Sequence, residues 1–245
     1  VFGALVLAQA SGTGDQWRMR QRDPQHTGRA DFVFPVSRDP ASFFDVVLWQ
    51  KPSPNAPDEG FFGASQMVFY DGSGPDGADI VLGTYHWPKG VMGLDRHTGA
   101  AFWSGLPNGG ESIADRTPAF SGMGDVVYVS NDATDGHPLM AFPAVSGPGY
   151  YWHNGVNPDP EHLALNSPVV TDDGRIFMHP WIGRPYAAWD TATELIEVWA
   201  AATHLDMGLS DVSVYEEGSY LVVATARDTA GIKGFDGSTG DELWT

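Results

Sequence analysis

The chain has 245 residues, 13 lysines and arginines against 31 aspartates and glutamates, a formal charge of −18 and no cysteine. A polyanion of this kind is a poor partner for nucleic acid or for an anionic membrane surface. With no cysteine in these residues, neither a disulfide nor a lipidated cysteine is expected within them.

Residues 1–10 are apolar and end Ala8-Gln9-Ala10, the shape of a signal-peptide core with its small-residue cleavage site. They are expected to be the remnant of a signal peptide on an exported protein, periplasmic or extracellular; an ordinary apolar lead strand is the alternative. Ten residues cannot cross a bilayer, so no membrane insertion is expected. Residues 11–45 form a lead-in that contains Trp17-Arg18-Met19 and Asp23-Pro24-Gln25-His26-Thr27-Gly28-Arg29. Val46-Val47-Leu48-Trp49 then reads as a strand, 46–50.

From residue 65 onward the sequence repeats. Asp95-Arg-His-Thr98-Gly99-Ala-Ala-Phe-Trp103, Asp190-Thr-Ala-Thr193-Glu194-Leu-Ile-Glu-Val-Trp199 and Asp236-Gly-Ser-Thr239-Gly240-Asp-Glu-Leu-Trp244 are versions of one phrase. A degraded copy, in phase, runs through Phe142 and Gly147 to Trp152. With Trp49 included, the tryptophan spacings are 54, 49, 47 and 45 residues. Each period holds four short runs rich in Val, Ile, Tyr, Phe and Trp, separated by Gly, Pro, Asp and Asn, with no helical periodicity. That is the pattern of four-stranded propeller blades. The expected fold is an all-β propeller of antiparallel blades: blade 1 at 65–104, blade 2 at 117–153, blade 3 at 167–200 and blade 4 at 211–245. In each Asp-x-x-Thr-Gly turn, Asp accepts local backbone N–H bonds and Gly takes the left-handed position, so these aspartates are structural. The tryptophan that follows is expected to wedge between blades. In blade 3, Glu194 replaces the glycine and one residue is added, which predicts a bulged or looser turn.

Seven or eight blades of this length need roughly 320–360 residues. Four blades and the strand at 46–50 are therefore expected to be the N-terminal part of a larger ring, Trp49 closing a blade whose other strands follow residue 245; a four-bladed ring is the alternative. Self-association through open blade faces would follow from the first reading.

The tight turns fall on one face and the long connections on the other: 105–116, 153–166 and 201–210, with second-to-third loops bearing His86-Trp87, Asp132 to His137, His179-Pro180-Trp181 and Arg227-Asp228. A ligand site belongs on the long-loop face near the axis. The residues that enter each innermost strand are its candidates: Asp115 and Arg116, His162 and Asn166, His204 and Asp211. The eight histidines lack metal-ligand spacing. Asp71-Gly-Ser73-Gly-Pro-Asp76-Gly-Ala-Asp79 places oxygen donors around a glycine turn in the manner of a calcium loop, although Pro75 and Ser73 occupy ligand positions; an acidic hairpin is the alternative. No phosphate loop, nucleophile elbow or paired-carboxylate motif is present, so no catalytic residue is assigned.

The A-x-D-x-x-T-G-x-x-x-W phrase, the strand openings Thr117-Pro118-Ala119-Phe120 and Ser167-Pro168-Val169-Val170, and the lead-in at Trp17 to Arg29 together resemble the pyrroloquinoline-quinone-like repeat family of secreted bacterial proteins, over residues 17–245. The resemblance implies a propeller but not a single activity, because the repeat is shared by quinone-dependent dehydrogenases and by a barrel-assembly scaffold lipoprotein. It leaves two expectations of different class. The first is an exported, non-catalytic binding or scaffold propeller that takes a protein, peptide or glycan on its long-loop face, with no cofactor unless calcium. The second is a quinone- and calcium-dependent dehydrogenase, in which the protein supplies an Arg, an Asp base and a calcium site and the quinone performs the redox chemistry.

Overall fold

A computed structural model describes residues 67–86, 89–105, 116–130, 139–149, 152–153, 166–179, 183–203, 205, 212–215, 220–226 and 231–245. Sixteen strands within them form four antiparallel sheets, each a meander of four consecutive strands. Blade 1 is β1 (Val68–Tyr70), β2 (Ile80–His86), β3 (Lys89–Asp95) and β4 (Ala101–Gly105). Blade 2 is β5 (Ala119–Phe120), β6 (Val126–Ser130), β7 (Leu139–Pro143) and β8 (Trp152–His153). Blade 3 is β9 (Val169–Val170), β10 (Arg175–Met178), β11 (Tyr186–Asp190) and β12 (Leu195–Ala200). Blade 4 is β13 (Ser213–Tyr215), β14 (Leu221–Ala226), β15 (Gly231–Asp236) and β16 (Glu242–Trp244). The expected all-β fold of four-stranded propeller blades is what forms. The expectations for 1–10, 11–45 and 46–50, including Trp49, concern residues outside those described.

First strands of successive blades are neighbours, β1 beside β5 and β5 beside β9, as they are when blades radiate from one axis. Blade 2 shows why its strands read as unbroken apolar runs rather than as alternating ones. Successive side chains point to opposite faces, and here both faces are covered. Val127, Val129, Met140 and Phe142 pack with Val68, Ile80, Leu82 and Val91 of blade 1. Tyr128, Leu139 and Ala141 join the core that continues through Ile176, Phe177 and Ala187 of blade 3 to Val222 and Phe235 of blade 4.

The repeated tryptophan joins blade to blade. Trp103 lies across from Gly93 on its own sheet, and its ring rests on the turn glycine of the next blade, Gly147, in edge-on contact with Phe142. Its indole N–H donates to the Ala144 carbonyl at 2.8 Å. Trp199 repeats this against blade 4: it faces Ala187, covers Gly240 and donates to the Gly237 carbonyl at 2.9 Å. The residue paired with the tryptophan is Gly93, Ala141, Ala187 or Gly234. A larger side chain there would occupy the space of the indole where the ring is described: a Cβ at Gly93 would already lie 2.5 Å from Trp103. In blades 1, 3 and 4 the ladder slips by one residue just before the tryptophan, at Phe102, Val198 and Leu243. This bulge keeps the indole in register. Trp244 has the same place over Gly234 in blade 4 but is 43% exposed, and Leu243, Ile232 and Tyr215 of the same blade are about half exposed. The expectation that every repeat tryptophan wedges between blades therefore holds for Trp103 and Trp199 and not for Trp244; the Trp152 side chain lies outside the described residues.

The turn of blade 3 is tighter than expected, not looser. Turns 95–100 and 236–241 are four-residue loops in which the N–H of Gly99 or Gly240 bonds back to the aspartate carbonyl. In blade 3, Thr191 pairs with Glu194, and the loop shrinks to Ala192-Thr193. Without a glycine to close the longer loop, the added residue extends the hairpin. Ala192 consequently takes φ 66°, a conformation that costs an L-residue about 1–2 kcal/mol. Ala192→Gly is expected to stabilise the chain by about 0.5–1 kcal/mol, the strain relieved exceeding the entropy glycine gives up. Thermal or denaturant unfolding reads this directly, and an unchanged or lower midpoint would show the turn to be unstrained.

Candidate functional site

At the tight-turn end of the blades the repeat aspartates serve the backbone. Asp95 accepts from the N–H groups of His97 and Thr98 at 2.9 and 2.7 Å, and Asp236 from those of Ser238 and Thr239 at 2.7 and 3.2 Å. Burial opposes ionisation of Asp95, but the Thr98 N–H and hydroxyl and the His97 N–H outweigh it and hold the carboxyl below its usual value. A carboxylate so held adds stability above its unfolded pKa and loses it as pH falls through the folded one. Asp190 also ties two blades together. Besides the Ala192 N–H at 2.6 Å, it accepts the Tyr128 hydroxyl of blade 2 at 2.7 Å. Tyr128 is buried, and desolvation together with the Asp190 charge pushes its pKa up, so it stays a neutral donor.

The hairpin from Asp71 to Asp79 is an ion-paired turn. Asp71 pairs with the Arg96 guanidinium, which also lies 4.4 Å above the Phe69 ring. Asp79 accepts the Gly72 N–H at 2.9 Å and faces His97 Nε2 at 2.9 Å. Pro75 opens a short 3-10 turn in which Asp76 takes φ 56°. Among the described residues no three His, Cys, Asp or Glu side chains form a group able to hold a metal ion, and Asp71 and Asp79 are engaged by Arg96, His97 and the Gly72 N–H. Millimolar calcium is accordingly expected to leave the melting temperature unchanged. A rise that Asp71→Ala abolishes would support the calcium reading instead.

The other end holds the buried polar chemistry. Of eight buried polar residues described, five sit where blades 2 and 3 meet at the long-connection end: Thr117, Ser130, Asn166, Ser167 and His179. They are placed by strand direction, because first strands begin and second strands end there. The Thr117 N–H donates to Ser167 Oγ at 3.1 Å, the Ser130 hydroxyl to the Asn166 carbonyl at 2.6 Å, and the Asn166 N–H to the His179 carbonyl at 3.1 Å. The two Ser/Thr-Pro strand openings therefore meet across the blade junction, a relation their matching phase carries in the sequence. Arg116 directly precedes this group. Its Nε is buried and makes no hydrogen bond; such a donor costs about 1–3 kcal/mol when left unmade.

Of the ligand-face candidates, the structure places Arg116 and Asn166 at this one junction. Asn166 is a framework residue there, its backbone bonded on both sides. Asp115, His162, His204 and Asp211 lie outside the described residues, as do most of the long connections. Thr117, Ser130, Ser167 and His179 belong to the junction without any motif in the sequence that marks them as site residues. Among the described residues no helix is long and apolar enough to cross a membrane.

No family model and no curated protein matches the chain. Solved structures similar to it include an auxiliary nutrient binding protein from Bacteroides thetaiotaomicron (14% identity, TM-score 0.45, 72% of this chain and 39% of that one). BamB from Moraxella catarrhalis is similar at 15% identity and TM-score 0.40, over 76% of this chain and 62% of that one. The Dos1 propeller is similar at 13% identity and TM-score 0.45, over 75% and 46%. The chain thus spans between 39% and 62% of the length of these structures.

Proposed function

We propose that the chain is part of an exported, non-catalytic β-propeller of the pyrroloquinoline-quinone-like repeat type that binds a protein, peptide or glycan on its long-connection face. The observation that supports this most is the concentration of buried polar groups at one end of the inner strands, at the junction of blades 2 and 3. Buried polar side chains are costly unless paired, and five of the eight described ones gather at this junction. A rigid, hydrogen-bonded rim beneath long loops is the usual construction of a ligand site. Export is supported by the apolar segment ending Ala8-Gln9-Ala10.

Glycan and peptide arrays probed with the labelled chain test this reading, with the bound face located by amide exchange. Protection is expected at residues 116–120 and 166–170. Protection confined to the tight turns at 96–99 and 237–240 would overturn it. Saturable reduction of dye with pyrroloquinoline quinone, calcium and an alcohol or sugar would replace it with the dehydrogenase.

A further inference from the structure

We infer that the outward face of blade 4 is a docking face for one further blade of the same repeat, which Trp244 engages by resting on a left-handed turn glycine and donating its indole N–H to a carbonyl of that turn. Strand alternation divides blade 4 into two faces. Val214, Val222, Ala224 and Phe235 are buried in the core shared with blade 3. On the other face Leu221 and Val223 are only half-buried, and Tyr215, Ile232 and Trp244 are about half exposed. A contiguous apolar face of this kind marks an interaction surface.

The face repeats, position for position, the one that blade 1 turns to blade 2. Tyr215, Leu221 and Asp236 share a row across the sheet as Tyr70, Ile80 and Asp95 do. Val223, Gly234 and Trp244 share another, as Leu82, Gly93 and Trp103 do. In blade 1 this face is covered. Ile80 and Leu82 are fully buried with blade 2, and the Tyr70 hydroxyl donates to the Gly122 carbonyl at 2.9 Å. Trp103 rests on Gly147 and donates to the Ala144 carbonyl, as Trp199 rests on Gly240 and donates to the Gly237 carbonyl. Each accepting carbonyl stands three positions before its glycine, 144 before 147 and 237 before 240. One interface made twice specifies what a third such face receives, because blades of a repeat meet only through their neighbours.

A second copy of the chain does not supply the occupant. Its Gly147 and Gly240 already lie beneath Trp103 and Trp199, its Gly99 is buried, and its blade 3 turn, Ala192-Thr193, has no glycine. The occupant is a blade other than these four, with an uncovered glycine turn.

Two extended chains test this: residues 1–245 followed by a duplicate of 105–153, which carries blade 2, or by a duplicate of 201–245, which carries blade 4. Both join in phase, Thr245 standing after Trp244 as Ser104 and Ala200 stand after Trp103 and Trp199. Indole proton exchange at Trp244, read by NMR on 15N-tryptophan chain, is expected to slow by about tenfold or more in at least one of them, as for an N–H taken under packed structure. Gly147→Val or Gly240→Val in the duplicate alone is expected to return Trp244 to its rate in the parent chain, while Trp103 and Trp199 stay slow. Trp244 exchanging in both extended chains as fast as in the parent overturns the inference, and so does protection that survives the glycine substitution. Sedimentation of the parent chain is independent of whether a duplicate folds. No discrete dimer is expected, and a dimer that Ile232→Lys dissolves would make a second copy the occupant and overturn the inference.

Discussion

Trp199→Ala is expected to lower stability by about 3–5 kcal/mol, the range for deleting a buried large aromatic. Trp199 is 7% exposed, contacts Phe177 within its own blade, covers Gly240 and bonds to the Gly237 carbonyl of blade 4. Its loss opens a cavity and leaves that carbonyl with only the longer bond from Arg175, at 3.3 Å. Trp244→Ala, at the equivalent position of blade 4, is expected to cost about 1–2 kcal/mol, because roughly half of the ring is already in solvent. Chemical denaturation of both variants measures the contrast. Equal losses would mean that the tryptophan acts through its own sheet, over Ala187 or Gly234, and not through the next blade.

The second large effect lies on the receiving side of the same contact. Gly240 has φ 78°, and an added Cβ would stand 2.5 Å from Trp199 Cε3. Gly240→Ala therefore combines a left-handed alanine with overpacking against a ring that is held by its N–H bond. The expected cost is about 2–4 kcal/mol. Gly174→Ala is the control: φ is 90° and nothing lies within 4 Å of the added carbon, so only the backbone cost of about 1 kcal/mol applies. If the two variants lose the same stability, the glycine is there for the turn alone and the indole does not press on it.

The blades are legible in the sequence because turns and tryptophans recur in phase. Asp95 and Asp236 announce their turns by a side chain that accepts two local N–H bonds, a purely local device that needs no knowledge of neighbours. The blade 3 turn escapes the same local logic. Replacing glycine by Glu194 does forbid the four-residue loop, but the added residue could either loosen the turn or lengthen the hairpin, and only the pairing of Thr191 with Glu194 decides between them. The destination of each tryptophan is half legible. Its period marks the outer strand, whereas its seat on Gly147 or Gly240 is a contact between blades that no spacing specifies. The candidate site is legible where it depends on strand direction, which puts Arg116 and Asn166 at one end. It is not legible where it depends on packing across the junction, which makes Ser130 and Ser167 buried hydrogen-bond partners rather than solvated loop residues.

The indole of one blade is locked to the backbone of the next. Proton exchange at the indole nitrogens, followed by NMR on chain labelled with 15N-tryptophan and assigned with single Trp→Phe variants, measures that lock. Slow exchange is expected for Trp103 and Trp199, whose N–H groups bond to the carbonyls of Ala144 and Gly237, with faster exchange for the half-exposed Trp244. Exchange of Trp103 and Trp199 as fast as that of Trp244 would contradict the account.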